Sequence, residues 1–195
     1  MTARGLCRWL AVAALVALVG CGREPFMNTD VSGADYATDF RLADHNGTPR
    51  TLADFKGKVI LLFFGYTHCP DVCPTTLAEA AAVMKALGPQ ADRVQVLFVT
   101  LDPARDTPGM LARYVPSFHP TFLGLHGDDA AIAKTARDFK VFWQKTAGSS
   151  PENYLIDHAA GSFLFDPRGQ LRLYHGYGKG AAPLTHDIRL LLDGA

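Results

Sequence analysis

"KVILLFFGYTHCPDVCPTTLAEAAAVMKAL", residues 58–87, carries three patterns in succession. Lys58 to Tyr66 is a continuous apolar run, the mark of a strand buried on both faces. Thr75 to Leu87 is rich in helix formers, with Leu77, Ala81, Met84 and Leu87 along one face and Gly88-Pro89 as its stop. Between them, "GYTHCPDVCP" sets Cys69 and Cys73 at the carboxyl end of a strand and the start of a helix, where open α/β sheets place their ligand chemistry. Pro74 suits the first helical position, which predicts Cys73 as the cap, its thiolate favoured by the unpaired N–H groups and dipole there. In helical geometry the i, i+4 spacing holds the two Cα atoms about 6 Å apart, inside the range of a disulfide and equally suited to two sulfurs on one metal ion. A crosslink, a redox dithiol and a metal pair therefore all remain open. The crosslink ranks last, because so short a loop removes little chain entropy and a domain of this size does not need it.

The rest of the chain repeats the strand–helix alternation. "DFRLADHNGTPRTL" reads as a hairpin turning at His45-Asn46-Gly47. "RVQVLFVTLD" is a second buried strand, and "DTPGMLARYVPSF" a helix capped by Asp106 or Thr107 with Pro108 in its first turn. "TFLGL", "DDAAIAKTARDF", the pair of strands in "GSFLFDPRGQLRLY" and a helix from Pro183 to Leu192 complete it. This order predicts an α/β sandwich with a mixed central sheet and an added N-terminal β-hairpin.

With 195 residues and 48% hydrophobic composition, the chain suffices for one domain, placed at residues 39–195. Its 19 basic and 19 acidic residues form no long run of either sign, which excludes an electrostatic footprint for nucleic acid. Residues 1–20 read as a signal peptide, with Arg4 and Arg8 ahead of an apolar run too short to span a bilayer. "LVGC" then resembles a bacterial lipobox, making Cys21 the expected lipidation site and residues 21–38 a lipid-anchored flexible tether of ~25 Å root-mean-square reach. Removal of residues 1–20 leaves a net charge of about −2 and discards Cys7, so Cys69 and Cys73 are the free thiols of the domain.

"GYTHCPDVCP", "DPARDTP" (Asp102 to Pro108) and "YLIDHAAGSFLFDPRG" (Tyr154 to Gly169), in this order and at these separations, resemble the Sco/SenC family. The resemblance covers about residues 38–192 and implies a thioredoxin-like fold. It further implies a copper chaperone serving the binuclear copper site in subunit II of cytochrome c oxidase, with Cys69, Cys73 and His158 as copper ligands. Periplasmic copper donors or thiol reductants are the partners expected on that basis, in the cell envelope. Thiolates with imidazole suit Cu(I) and Cu(II), and a three-donor set falls short of the closed four-ligand site of structural zinc.

Histidines are more often surface or hydrogen-bonded residues than ligands. His158 is expected in the loop entering a buried strand, with His175 as the alternative to test and His68 beside the site at most. Asp157 can orient an imidazole or sit in solvent, Asp71 lies between the thiols, and Asp102 ends a strand as a supporting residue. The rival function is a thiol–disulfide oxidoreductase or redox sensor using Cys69 and Cys73 without metal. Against it stand three residues between the cysteines rather than two, and Ala160 where a thioredoxin-like reductant carries proline.

Overall fold

The computed structural model describes residues 24–148 and 153–195. The expected signal peptide at 1–20 and the expected lipidation site Cys21 lie outside them. At the centre, β4 (Val59–Gly65) and β5 (Val94–Thr100) run parallel, pairing from Val59 with Val94 to Gly65 with Thr100, and every residue of both is buried. Such strands cannot alternate in polarity because both faces are covered, which is why the sequence shows them as unbroken apolar runs. On one side of β4 lie β9 (Ser162–Phe165), β10 (Leu171–His175) and the edge strand β1 (Thr29–Asp30), each antiparallel to the strand before it. Beyond β5 lie the parallel β6 (Leu123–His126) and then the hairpin of β2 (Leu42–Asp44) and β3 (Pro49–Arg50). This is the mixed sheet with an added hairpin that the sequence predicts.

Four helices pack on it: α1 (Val72–Leu87), α2 (Pro108–Tyr114), α3 (Asp129–Asp138) and α4 (Ala181–Leu192). Neighbouring residues of β4 divide the core between the two faces, as the pleat requires. Phe63 meets Phe98 edge-on at 5.3 Å on the side of α1 and α2, whereas Phe64 meets Phe139, just past α3, at 5.4 Å on the other. α1 buries Cys73, Leu77, Ala80, Val83, Met84 and Leu87, each large aliphatic side chain contributing roughly 1.5–3 kcal/mol. Ala81, expected on that face, is only partly buried.

Two expectations need correction, and one element goes unpredicted. α1 starts at Val72 with Asp71 at the cap, so Cys73 is the second helical residue rather than the cap. Pro74 is tolerated there because the first turn lacks intrahelical acceptors for its N–H groups anyway. The described part of the 21–38 segment is not a free tether. Phe26 packs on the core, Met27 and Asn28 donate backbone N–H bonds to the buried Asp187 carboxylate, β1 joins the sheet, and Ala37 is buried. A two-residue strand has no readable period, and its partners lie more than 140 residues away in sequence. Finally, β7 (Trp143–Thr146) and β8 (Leu155–His158) form a separate two-stranded sheet between α3 and β9. Only part of one face of that hairpin is buried, so its sequence lacks the apolar run of the central strands.

Candidate metal centre

Cys73 is 1% exposed and Cys69 half-buried, and both are free thiols. The Cys73 sulfur rests against the end of β4: a Cβ on Gly65 would lie 2.7 Å from it and 2.9 Å from the Phe98 ring. Gly65 is therefore required by a close approach rather than by a turn. The two sulfurs share a hydrogen bond, and the backbone N–H groups of Cys73, Asp71 and Val72 also point to Cys69. The Cys73 hydrogen bond first, and then these helix N-terminal amides, lower the Cys69 thiol from its ordinary value to about 5. Cys73 moves in the opposite direction, raised by that same hydrogen bond and by burial. The anion at the helix N-terminus thus belongs to Cys69, and Cys73 holds the proton, the reverse of what the cap position suggested.

His158 is the last residue of β8 rather than a loop residue, and its Nε2 stands 3.7 Å from Cys73 Sγ. Its Nδ1 contacts the Ala159 carbonyl at 3.0 Å, so the backbone fixes the ring and leaves Nε2 toward the thiols. Asp157 does not orient it. Residues alternate along a strand, and Asp157 is exposed on the face opposite Ile156 and His158. Trp143 pairs across the hairpin with His158 and shares its face. Tyr66, buried after β4, sets its ring edge-on to the His158 ring at 6.2 Å, with the Ile156 backbone and the Cys69 side chain as hydrogen-bond partners.

The remaining candidates separate clearly. His175 is not brought to the thiols: it is buried, with Nδ1 bound to Asn28 Oδ1 at 2.7 Å and Nε2 to Glu79 Oε1 at 3.0 Å. His68 turns to Thr67 Oγ1 at 3.1 Å and stands 3.9 Å from Asp106. The Asp71 carboxylate is exposed near Thr75, so its contribution to the thiols comes through its backbone N–H. Asp102 is fully buried and supports the hairpin, accepting from Arg105 Nε and from the Tyr154 hydroxyl at 2.6 Å. Burial and that bond push the Tyr154 phenol up to about 12.

Asp106 is a residue that the sequence reading missed. Thr107 takes the capping role at α2, which turns Asp106 inward to accept from Thr67 N at 3.0 Å, Thr67 Oγ1 at 2.5 Å and Thr100 Oγ1 at 2.6 Å. Burial raises its pKa, and its charge acts on Cys73. Its signal was the "DT" pair itself, where only one of two adjacent capping residues can serve.

Two ligands bound ~2.3 Å (sulfur) and ~2.0 Å (nitrogen) from one ion lie about 3.5–3.7 Å apart, so the Cys73–His158 spacing is that of two donors to one metal. Among the described residues, no three His, Cys, Asp or Glu side chains are already drawn together as a metal-holding group. For both sulfurs to ligate one metal, the proton held on Cys73 must be displaced. Two thiolates and one imidazole form a soft-to-borderline set that fits copper.

The family model described as SCO1/SenC matches residues 28–193. The mouse protein "SCO2 homolog, mitochondrial" is 39% identical over 153 residues, a match covering 77% of this chain and 60% of that protein. The chain thus matches about 60% of the length of that curated relative. Among solved structures, Bradyrhizobium japonicum ScoI with copper bound is 40% identical with a TM-score of 0.71, covering 77% of this chain and 96% of that one. Apo Sco1 from Thermus thermophilus is 40% identical with a TM-score of 0.74, covering 87% and 98%. The mixed α/β sandwich is the thioredoxin-like architecture of those proteins. With all the strands and helices described above falling within the matched span, the chain belongs to the SCO1/SenC family.

Proposed function

We propose that this protein is a copper chaperone of the cell envelope. It binds copper through Cys69, Cys73 and His158 and delivers it to, or prepares by reduction, the binuclear copper site in subunit II of cytochrome c oxidase. The observation that carries this reading is the approach of His158 Nε2 to within 3.7 Å of Cys73 Sγ across 85 residues of sequence, beside a thiol lowered to about 5. The similarity to ScoI solved with copper bound supports it. Cys69 is ready as a thiolate, copper displaces the proton on Cys73, and the imidazole completes the set. Oxidation of the pair to a disulfide removes both thiolates and releases the metal. In this reading the signal peptide at 1–20 and lipidated Cys21 hold the domain at a membrane, facing periplasmic copper donors and thiol reductants. No helix among the described residues is long and apolar enough to cross a membrane.

Copper titration of the reduced chain tests the ligand set. One copper per molecule and a thiolate-to-Cu(II) absorption are expected, lost in Cys69→Ser and Cys73→Ser, weakened in His158→Ala and unchanged in His175→Ala. A His158→Ala variant that binds like the parent would remove histidine from the set.

The second reading, a thiol–disulfide oxidoreductase or redox sensor, draws on the same split between a low-pKa Cys69 and a protonated Cys73. It prevails if the parent binds no copper yet turns over a dithiol substrate.

A further inference from the structure

We propose that Asp102, Arg105 and Tyr154 form a clamp that positions His158, and that the clamp governs how well the site holds Cu(II) relative to Cu(I). This rests on the copper reading above. The hairpin of β7 and β8 lies outside the main sheet, and its ladder bonds are internal. Its position relative to the thiols is therefore set by the short link from His158 to β9, by the buried Ile156 and by the polar side chains at its other end. Asp102, buried beyond the end of β5, accepts from the Tyr154 hydroxyl and from Arg105 Nε. The Arg105 guanidinium lies 3.6 Å over the Tyr154 ring and donates Nη1 to the Tyr154 carbonyl at 3.0 Å. The same guanidinium stands 5.8 Å from the Tyr66 ring, whose edge meets His158. Tyr154 immediately precedes β8, so the clamp grips the entry to the strand whose last residue is the imidazole donor.

Cu(I) is satisfied by two thiolates, whereas Cu(II) gains more from an imidazole nitrogen. Loosening the hairpin should therefore penalise Cu(II) selectively. The site would then release one oxidation state through movement of the histidine arm while the sulfurs stay in place.

Tyr154→Phe keeps the ring and removes the bond to Asp102; Arg105→Lys keeps the charge and removes the planar stack. The expected result for Tyr154→Phe is about 10-fold weaker Cu(II) binding with an altered thiolate-to-Cu(II) band, the size seen when a group supporting a metal ligand is lost. Cu(I) affinity, read by competition with a Cu(I) chelator, should stay within about 2-fold, because both sulfurs are untouched. Arg105→Lys should show the same split more strongly. In a His158→Ala background, Tyr154→Phe should add nothing, since the clamp acts only through that ring. Equal losses for both oxidation states, or a further loss in the His158→Ala background, would show a general structural role and overturn the clamp. A Tyr154→Phe chain that binds Cu(II) like a copper-binding parent overturns the clamp alone, whereas a parent that binds no copper overturns the reading of the site as well.

Discussion

The thiol arm and the histidine arm of the site stand on supports of different construction. Cys73 is seated on the most deeply buried part of the molecule, its sulfur against Gly65 and Phe98 and its helix anchored by Leu77, Val83 and Leu87. His158 arrives on a two-stranded hairpin held to the body by the buried Ile156, by Trp143 at the core's edge and by polar and aromatic contacts around Tyr154, Arg105 and Tyr66. Dense apolar packing holds the thiols, and one buried aliphatic residue with a small cluster of polar and aromatic side chains holds the imidazole. The imidazole is therefore the less firmly seated of the two, and under the proposed function it is the arm expected to yield first.

The largest test attacks the rigid arm. Gly65→Ala places a methyl group 2.7 Å from the Cys73 sulfur, so copper binding should be lost and stability should fall by about 1–3 kcal/mol, read by titration and denaturant unfolding. A Gly65→Ala chain that binds copper normally would show the thiol arm to be as yielding as the other. Hydrogen exchange compares the arms directly: amides of β8 should exchange on the order of 100-fold faster or more than those of β4, reflecting easier local opening. Equal protection would erase the contrast.

A third measurement uses the charge split within the thiol arm. Alkylation of reduced Cys69 should reach half its limiting rate near pH 5, while Cys73 stays unreactive through neutral pH. Cys69 is lowered from an ordinary value of 9.0, so its stabilising contribution is fully present above about pH 9 and declines as the pH falls toward 5. Unfolding of the reduced chain across that window checks the sign. The smallest effect is expected away from both arms: Asn28→Ala removes bonds to Asp187 and His175 and should cost about 1–3 kcal/mol of stability with copper binding unchanged.

The strand, the thiols and the helix of residues 58–87 were legible because burial on both faces leaves an unbroken apolar run and helix formers follow it at once. The proposed copper ligand set comes only through the resemblance of three separated motifs, since nothing local to "DHAAG" distinguishes His158 from the other histidines. The β7–β8 hairpin escaped because its stability comes from tertiary contacts of Tyr154 and Ile156 rather than from a period in the sequence. Asp106 escaped because the inward or outward sense of two adjacent capping residues is decided by Thr67 and Thr100, which lie on other segments. The docking of residues 26–30 was hidden for the same reason, resting on Asp187 and on β10 far along the chain.

Trp143, paired across the hairpin from His158, gives the molecule an optical property. The chain has two tryptophans, and the other, Trp9, lies in the segment assigned to the signal peptide. The indole emission of a processed chain would come from Trp143 alone. Because a bound Cu(II) ion quenches a nearby indole, the emission would darken as metal arrives and brighten as it departs, so binding and release can be timed without any added dye.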